Sequence, residues 1–223
     1  MSNFYIVATP IGNLEDISRR ALRVLNEVDL ILCEDTRVTK KLLNHFGIQK
    51  KTLSYHHHSK TTKINQIIGF LKKGGKLALV CDAGTPGISD PGNKLIEAIL
   101  KEFDNKIKIV PIPGPSALAA SISISGFSMD KFLFLGFLPS KKKRKKIFKE
   151  IIDSKYPVVF FESPYKILKT LEELKKTKRD LKIVVCRELT KIFETIYRGN
   201  ISEVLEKIKK DKIKGEFVVI ISP

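Results

Sequence analysis

The run Asp82-Ala83-Gly84-Thr85-Pro86-Gly87-Ile88-Ser89-Asp90-Pro91-Gly92 follows directly on the apolar stretch Leu77-Ala78-Leu79-Val80-Cys81. Three glycines and two prolines in eleven residues continue neither a strand nor a helix, so they build a shaped loop at the end of a buried strand, where open α/β sheets bind ligands. A second such turn, Thr9-Pro10-Ile11-Gly12-Asn13-Leu14, closes the run Phe4-Tyr5-Ile6-Val7-Ala8 without placing bulky side chains over the strand tip. No G-x-G-x-x-G follows that first strand, and Gly74-Gly75-Lys76 leads into a strand rather than a helix. A dinucleotide cradle and a P-loop are both missing, which argues against NAD and ATP.

Polar groups also stand at other strand tips: Cys33-Glu34-Asp35-Thr36-Arg37, Glu162-Ser163-Pro164-Tyr165, and Arg187-Glu188-Leu189-Thr190-Lys191 ahead of Phe193-Glu194. The acidic pair at 34–35 reads either as a capped helix start or as carboxylates offered to chemistry, and Arg37 as a phosphate ligand. Lys141-Lys142-Lys143-Arg144-Lys145-Lys146 is six consecutive cations. Such a run is either a solvated helix start or, since like charges packed this densely repel unless an anion relieves them, a track for a nucleic-acid backbone. His56-His57-His58 lacks acidic or cysteine partners at ligand spacing, and adjacent side chains on extended chain point apart, so no metal site is expected.

The elements that must carry these loops alternate along the chain. Ile17, Ala21, Leu22, Leu25 and Val28 share a helical face, as do Ile64, Ile67, Ile68 and Leu71, and apolar strand runs separate the helices. Strands are expected at 4–8, 30–33, near 53–55, 77–81 and 107–110, giving a mainly parallel, doubly wound first domain. Pro111-Ile112-Pro113-Gly114-Pro115-Ser116 marks a hinge. The expected domains are therefore 1–113 and 114–223, the second also α/β, on a mixed sheet with strands near 132–135, 158–161, 182–186 and 217–222, and a further one at 195–198.

The 223 residues, 43% hydrophobic and 29% charged, describe an ordinary globular chain. No apolar run approaches the roughly 18 residues that span a bilayer, and Met1-Ser2-Asn3 lacks the basic start of a secretory signal, so the cytoplasm is the expected compartment and no membrane is a partner. Cys33, Cys81 and Cys186 read as buried thiols in a reducing environment. A net charge of +17 points to a polyanionic partner, although 33 of the 41 basic residues are lysines and a compositional bias would look the same. Residues 1–113 carry 17 basic and 11 acidic side chains and residues 114–223 carry 24 and 13, so the second domain is expected to dominate that contact.

Taken together, Thr9 to Leu14, Cys33 to Arg37, Asp82 to Gly92, Pro113 to Ser116, Gly136-Phe137-Leu138-Pro139, Glu188 to Lys191 and Lys214-Gly215-Glu216-Phe217 resemble the tetrapyrrole methylase superfamily, and within it the ribosomal RNA small subunit methyltransferase I family. The resemblance runs from Phe4 to about Ile221. It implies a two-domain α/β fold with S-adenosyl-L-methionine in the interdomain cleft, a homodimer, and 2'-O-methylation of a cytidine ribose in the decoding region of 16S rRNA, with the rRNA or the small ribosomal subunit as partner. Relatives can carry a further C-terminal segment, so RNA contacts from such a segment are not carried over.

By motif, the resemblance places the cofactor against Pro10, Thr85, Ile88, Ser116 and Ala117 in the first half and its border, and against Phe161, Leu189 and Phe217 in the second. Removing the ribose hydroxyl proton calls for a carboxylate or a neutral lysine, and the candidates are Asp35, Glu34, Glu188 and Lys191. RNA-backbone candidates are Arg37 and Lys141, Lys142, Lys143, Arg144, Lys145 and Lys146. Two rival readings use the same fold: methylation of a tetrapyrrole or of a protein side chain, and a non-catalytic rRNA-binding assembly factor.

Overall fold

In a computed structural model that describes residues 3–56, 59–104, 106–139 and 143–223, the chain divides into two compact units, 1–116 and 117–223. The division falls three residues beyond the expected boundary, still inside the proline-rich segment. Each unit is built on its own five-stranded sheet among the described residues.

In the first unit, β1 (Asn3–Val7), β2 (Leu30–Cys33), β3 (Thr52–Ser54), β4 (Leu77–Leu79) and β5 (Lys108–Ile112) pair in the order β3-β2-β4-β1-β5, all parallel. Alternate residues of β1 serve opposite faces. Val7 joins Ile31, Cys33 and Val80 beneath α1 (Arg19–Glu27) and α2 (Thr36–His45), while Phe4 joins Leu32, Leu77 and Leu79 beneath α3 (Thr61–Lys72) and α4 (Asn93–Glu102). Burial on both faces is why β4 reads as an unbroken apolar run. The caps follow from local chemistry: Ser18 accepts the Ala21 amide at 3.0 Å to open α1, and Asp35 opens α2.

The connection from β1 through α1 leads to β2 on one side, and that from β4 through α4 leads to β5 on the other. These neighbours thus send their chains opposite ways, which makes their carboxyl ends the switch point of the sheet. Pro111 lies inside β5, longer than the expected strand. The sheet tolerates it because β5 is an edge strand, where a missing N–H faces no partner.

The second unit begins with α5 (Ala117–Ser123). Its sheet, β6 (Leu133–Phe137), β7 (Val158–Glu162), β8 (Lys182–Arg187), β9 (Thr195–Asn200) and β10 (Phe217–Ser222), has the order β6-β7-β10-β8-β9. β6 and β7 are parallel and the other neighbours antiparallel, giving the mixed sheet. Three helices, α6 (Arg144–Asp153), α7 (Ile167–Thr177) and α8 (Ile201–Lys210), cover one face with Phe148, Leu171, Leu174, Val204 and Leu205 packed on Phe160, Val185 and Val219. Burying each large side chain is worth about 1.5–3 kcal/mol. Gly136 and Phe137, beyond the strand expected near 132–135, lie within β6, where the register slips between Phe134 and Phe137 and Gly136 takes a φ of 60°.

Candidate active site

At the switch point of the first sheet the two loops singled out from the sequence are zipped together. Thr9 donates its amide to the Gly84 carbonyl at 2.9 Å and accepts the Gly84 amide at 3.0 Å, while the Thr9 hydroxyl donates to the Cys81 carbonyl at 3.2 Å. Gly84 makes this possible. Its φ is +82°, and a Cβ there would already touch Ile11 Cγ2 at 3.4 Å. The Thr85 hydroxyl then donates to the Pro115 carbonyl at 3.0 Å, tying the glycine-rich loop to the proline-rich segment. Pro10, Thr85 and Ser116 are thereby drawn into one loop cluster. Pro10 is buried, and Thr85, Ile88 and Ser116 are half-buried.

The tip of β2 is joined to the same cluster, because the Asp35 amide donates to Asp82 Oδ1 at 3.0 Å. Asp35 itself is occupied as a cap. Its carboxylate accepts the Arg37 amide at 2.8 Å and the Arg37 guanidinium at 2.6 Å. Those bonds hold the Asp35 carboxyl down at about 2. A carboxylate that holds a proton so weakly is a poor general base near neutrality. Glu34, the other member of the pair, is half-buried.

In the second unit, Phe161, Leu189 and Phe217 gather at one end of the sheet, since Phe217 pairs across both Glu162 and Arg187. Phe161 stacks edge-on with Phe134 and Phe137, at centroid distances of 5.1 and 5.5 Å. Phe217, by contrast, is part of the hydrophobic core, which leaves chiefly its backbone for a ligand. At the same end Lys191 Nζ donates to Glu188 Oε1 at 2.8 Å and to Glu216 Oε2 at 2.9 Å. Burial works against the Lys191 charge, but these two bonds outweigh it and lift the pKa above the ordinary lysine value. That corrects the expectation of a neutral lysine base. Burial likewise opposes the Glu188 charge, and the bonds from Lys191 and the Glu216 amide overcome it and hold the Glu188 carboxyl below its usual range.

The model of the tetrapyrrole (corrin/porphyrin) methylases matches residues 3–205. A ribosomal RNA small subunit methyltransferase I of Thermotoga maritima is 44% identical over 222 residues, covering 100% of this chain and 99% of the relative. The protein of that name from Halalkalibacterium halodurans is 44% identical over 218 residues, covering 97% of this chain and 74% of the relative. The chain belongs to the tetrapyrrole methylases, in the ribosomal RNA small subunit methyltransferase I family. Among solved structures, diphthine synthase superposes with a TM-score of 0.73 at 15% identity, over 100% of this chain and 90% of the other. A likeness that distant speaks for the fold.

In this methylase the cationic run is divided. Lys141 and Lys142 lie outside the described residues, as do His57 and His58; Lys143, Lys145 and Lys146 are exposed. Arg144 turns inward, which removes it from the RNA-backbone candidates. Its guanidinium donates to Glu173 at 2.6 Å, to Thr170 at 2.8 Å and to the Pro139 carbonyl at 3.2 Å, and lies over the Phe148 ring at 4.6 Å. Thr170 in turn donates to the buried Glu162 at 2.7 Å. The signal was available: Arg144 precedes Phe148 by four residues and Ile151 by seven, on the inward stripe of α6.

Arg37, 86% exposed, keeps one side open to solvent while paired with Asp35. Sequence reasoning missed Asp82 as the acceptor that joins two strand tips, and Glu216 as a partner of Lys191. All three cysteines are buried and free, and burial pushes the Cys186 thiol up to about 11. Among the described residues no three His, Cys, Asp or Glu side chains converge as metal ligands, and no helix is long and apolar enough to cross a membrane.

Proposed function

We propose that this protein transfers a methyl group from S-adenosyl-L-methionine to the 2'-oxygen of a cytidine ribose in the decoding region of 16S rRNA, working as a cytoplasmic homodimer. The observation that carries the reading is the loop cluster at the sheet's switch point, found in a chain 44% identical from end to end to a small-subunit rRNA methyltransferase.

The residues present fit the cofactor. The cluster is built from glycines, prolines and short side chains, of which Gly12, Ala83 and Gly114 are exposed, and the exposed Asp82 supplies a carboxylate suited to a cationic ligand. Thr85, Ile88 and Ser116, with Pro10 beneath, would hold it on the first unit. When bound, the cofactor supplies a methyl group made electrophilic by its sulfonium.

The protein's part is chiefly alignment of the attacking oxygen, which in well-oriented systems is worth about 7–11 kcal/mol. A base contributes a further ~10²–10⁴-fold. Of the four candidates, Asp35 is committed to Arg37, and Glu188 and Lys191 to one another, so Glu34 is assigned to take the ribose proton.

Incubating the protein with methyl-labelled cofactor and small subunits lacking the modification tests this. Label should enter 16S rRNA as a ribose methyl resistant to alkali, and Glu34→Gln should lower kcat while leaving cofactor affinity unchanged. Label on a base, on protein or on a tetrapyrrole would contradict the reading.

A further inference from the structure

The loop from Glu188 to Glu194 is held more firmly than a β8–β9 connection requires. Glu188 and Thr190 both take left-handed backbone conformations, with φ of 52° and 65°, uncommon for residues with a side chain. Such geometry persists only where the surroundings over-determine it, and here they do. The Glu188 amide donates to the Glu216 carbonyl at 2.9 Å, and the Glu216 amide donates back to Glu188 Oε1 at 3.0 Å. The Lys191 amide donates to the Glu188 carbonyl and the Glu194 amide to the Lys191 carbonyl, each at 3.0 Å, and the Thr190 amide reaches Glu194 Oε2 at 2.6 Å. Lys191 Nζ bridges Glu188 and Glu216. Gly215 permits the close approach: its φ is +89°, and a Cβ there would fall 2.2 Å from the Glu188 carboxyl carbon.

What this frame holds out is apolar. Ile192 is 95% exposed and Phe193 72% exposed. A preorganised loop that displays an aromatic and an aliphatic side chain to solvent loses little entropy when something covers them. The pair offers on the order of 300 Å², well short of the ~800 Å² per partner of a stable protein interface. It does suit one or two bases. The neighbouring segment carries exposed Lys212 and Lys214 and is fastened by Arg187, which donates to the Lys214 carbonyl at 3.0 Å. An aromatic tip with cations on the segment fastened to its base has the components of a surface that single-stranded nucleic acid binds.

We propose that the Ile192–Phe193 tip is a stacking platform for an unpaired base of the substrate RNA, with Lys212 and Lys214 meeting the adjoining phosphates. The inference deepens the rRNA methyltransferase reading and rests on it.

Three forms of the protein, wild type, Phe193→Ala and Phe193→Trp, would be compared for affinity to a single-stranded oligocytidylate, KM for small subunits, cofactor affinity by calorimetry, and mass by light scattering. Phe193→Ala should weaken oligonucleotide binding and raise KM by roughly tenfold or more, with kcat, cofactor affinity and mass unchanged. Phe193→Trp should restore binding. Oligonucleotide affinity within twofold of wild type would overturn the proposal. So would a change of mass, which would make the tip a contact between copies, or a loss of cofactor affinity, which would make it part of the cofactor site. Wild-type protein that binds the oligonucleotide through Phe193 but methylates no subunit would refute the methylation reading and leave the tip standing; wild type that binds no RNA would overturn the tip.

Discussion

Asp35 shows how one side chain resolves between two readings of a motif. At the sequence level Glu34-Asp35-Thr36-Arg37 is equally a helix cap and a pair of reactive carboxylates, because both uses want an acid at a strand-to-helix junction. Only the fold reveals that Arg37 bends back on Asp35. The Asp35 carboxyl lies at about 2 against an ordinary 3.8, so its ionised form contributes stability above the ordinary value and loses it as pH falls through the folded value. Asp35→Asn keeps a capping oxygen but removes the charge. It should lower Tm near neutrality, with the difference from wild type shrinking as pH falls towards 2. Gly84 makes the complementary case, since its role was legible from composition and its φ of +82° supplies the cause. Gly84→Ala should cost about 1–2 kcal/mol in denaturant unfolding and weaken cofactor binding at least tenfold by calorimetry.

Elements were more legible than side-chain directions. Parallel strands buried on both faces and amphipathic helices announce themselves through period and punctuation, which is why β1, β4, α1 and α3 lie close to where the apolar pattern puts them. β5 runs through Pro111 because edge position, a property of the assembled sheet, was invisible locally. α6 carries the same lesson in charge. A run of six cations looks uniform, yet helical phase selects Arg144 for the interior and leaves Lys145 and Lys146 outside. Arg144→Ala strips Glu173 and Thr170 of their partner and should cost about 3 kcal/mol. Lys145→Ala and Lys146→Ala should each stay within about 0.5 kcal/mol, and urea titration distinguishes the two classes.

For the molecule as a whole, a charge of +17 favours a polyanionic partner and says nothing finer. The exposed lysines 143, 145 and 146 give that charge a direction. Replacing them with glutamine should flatten the log–log dependence of RNA affinity on salt by about 0.7–0.9 per lysine engaged with a phosphate. That Ile192 and Phe193 face water was the least legible feature, because side-chain exposure in a loop is a property of the assembled fold.

The target chemistry is decided most directly by digesting 16S rRNA to nucleosides from cells with and without this gene and measuring 2'-O-methylcytidine by mass spectrometry. The account predicts that deletion removes one 2'-O-methylcytidine from the decoding region and that the wild-type gene restores it. An unchanged 2'-O-methylcytidine content, or loss of a base-methylated nucleoside instead, would contradict it.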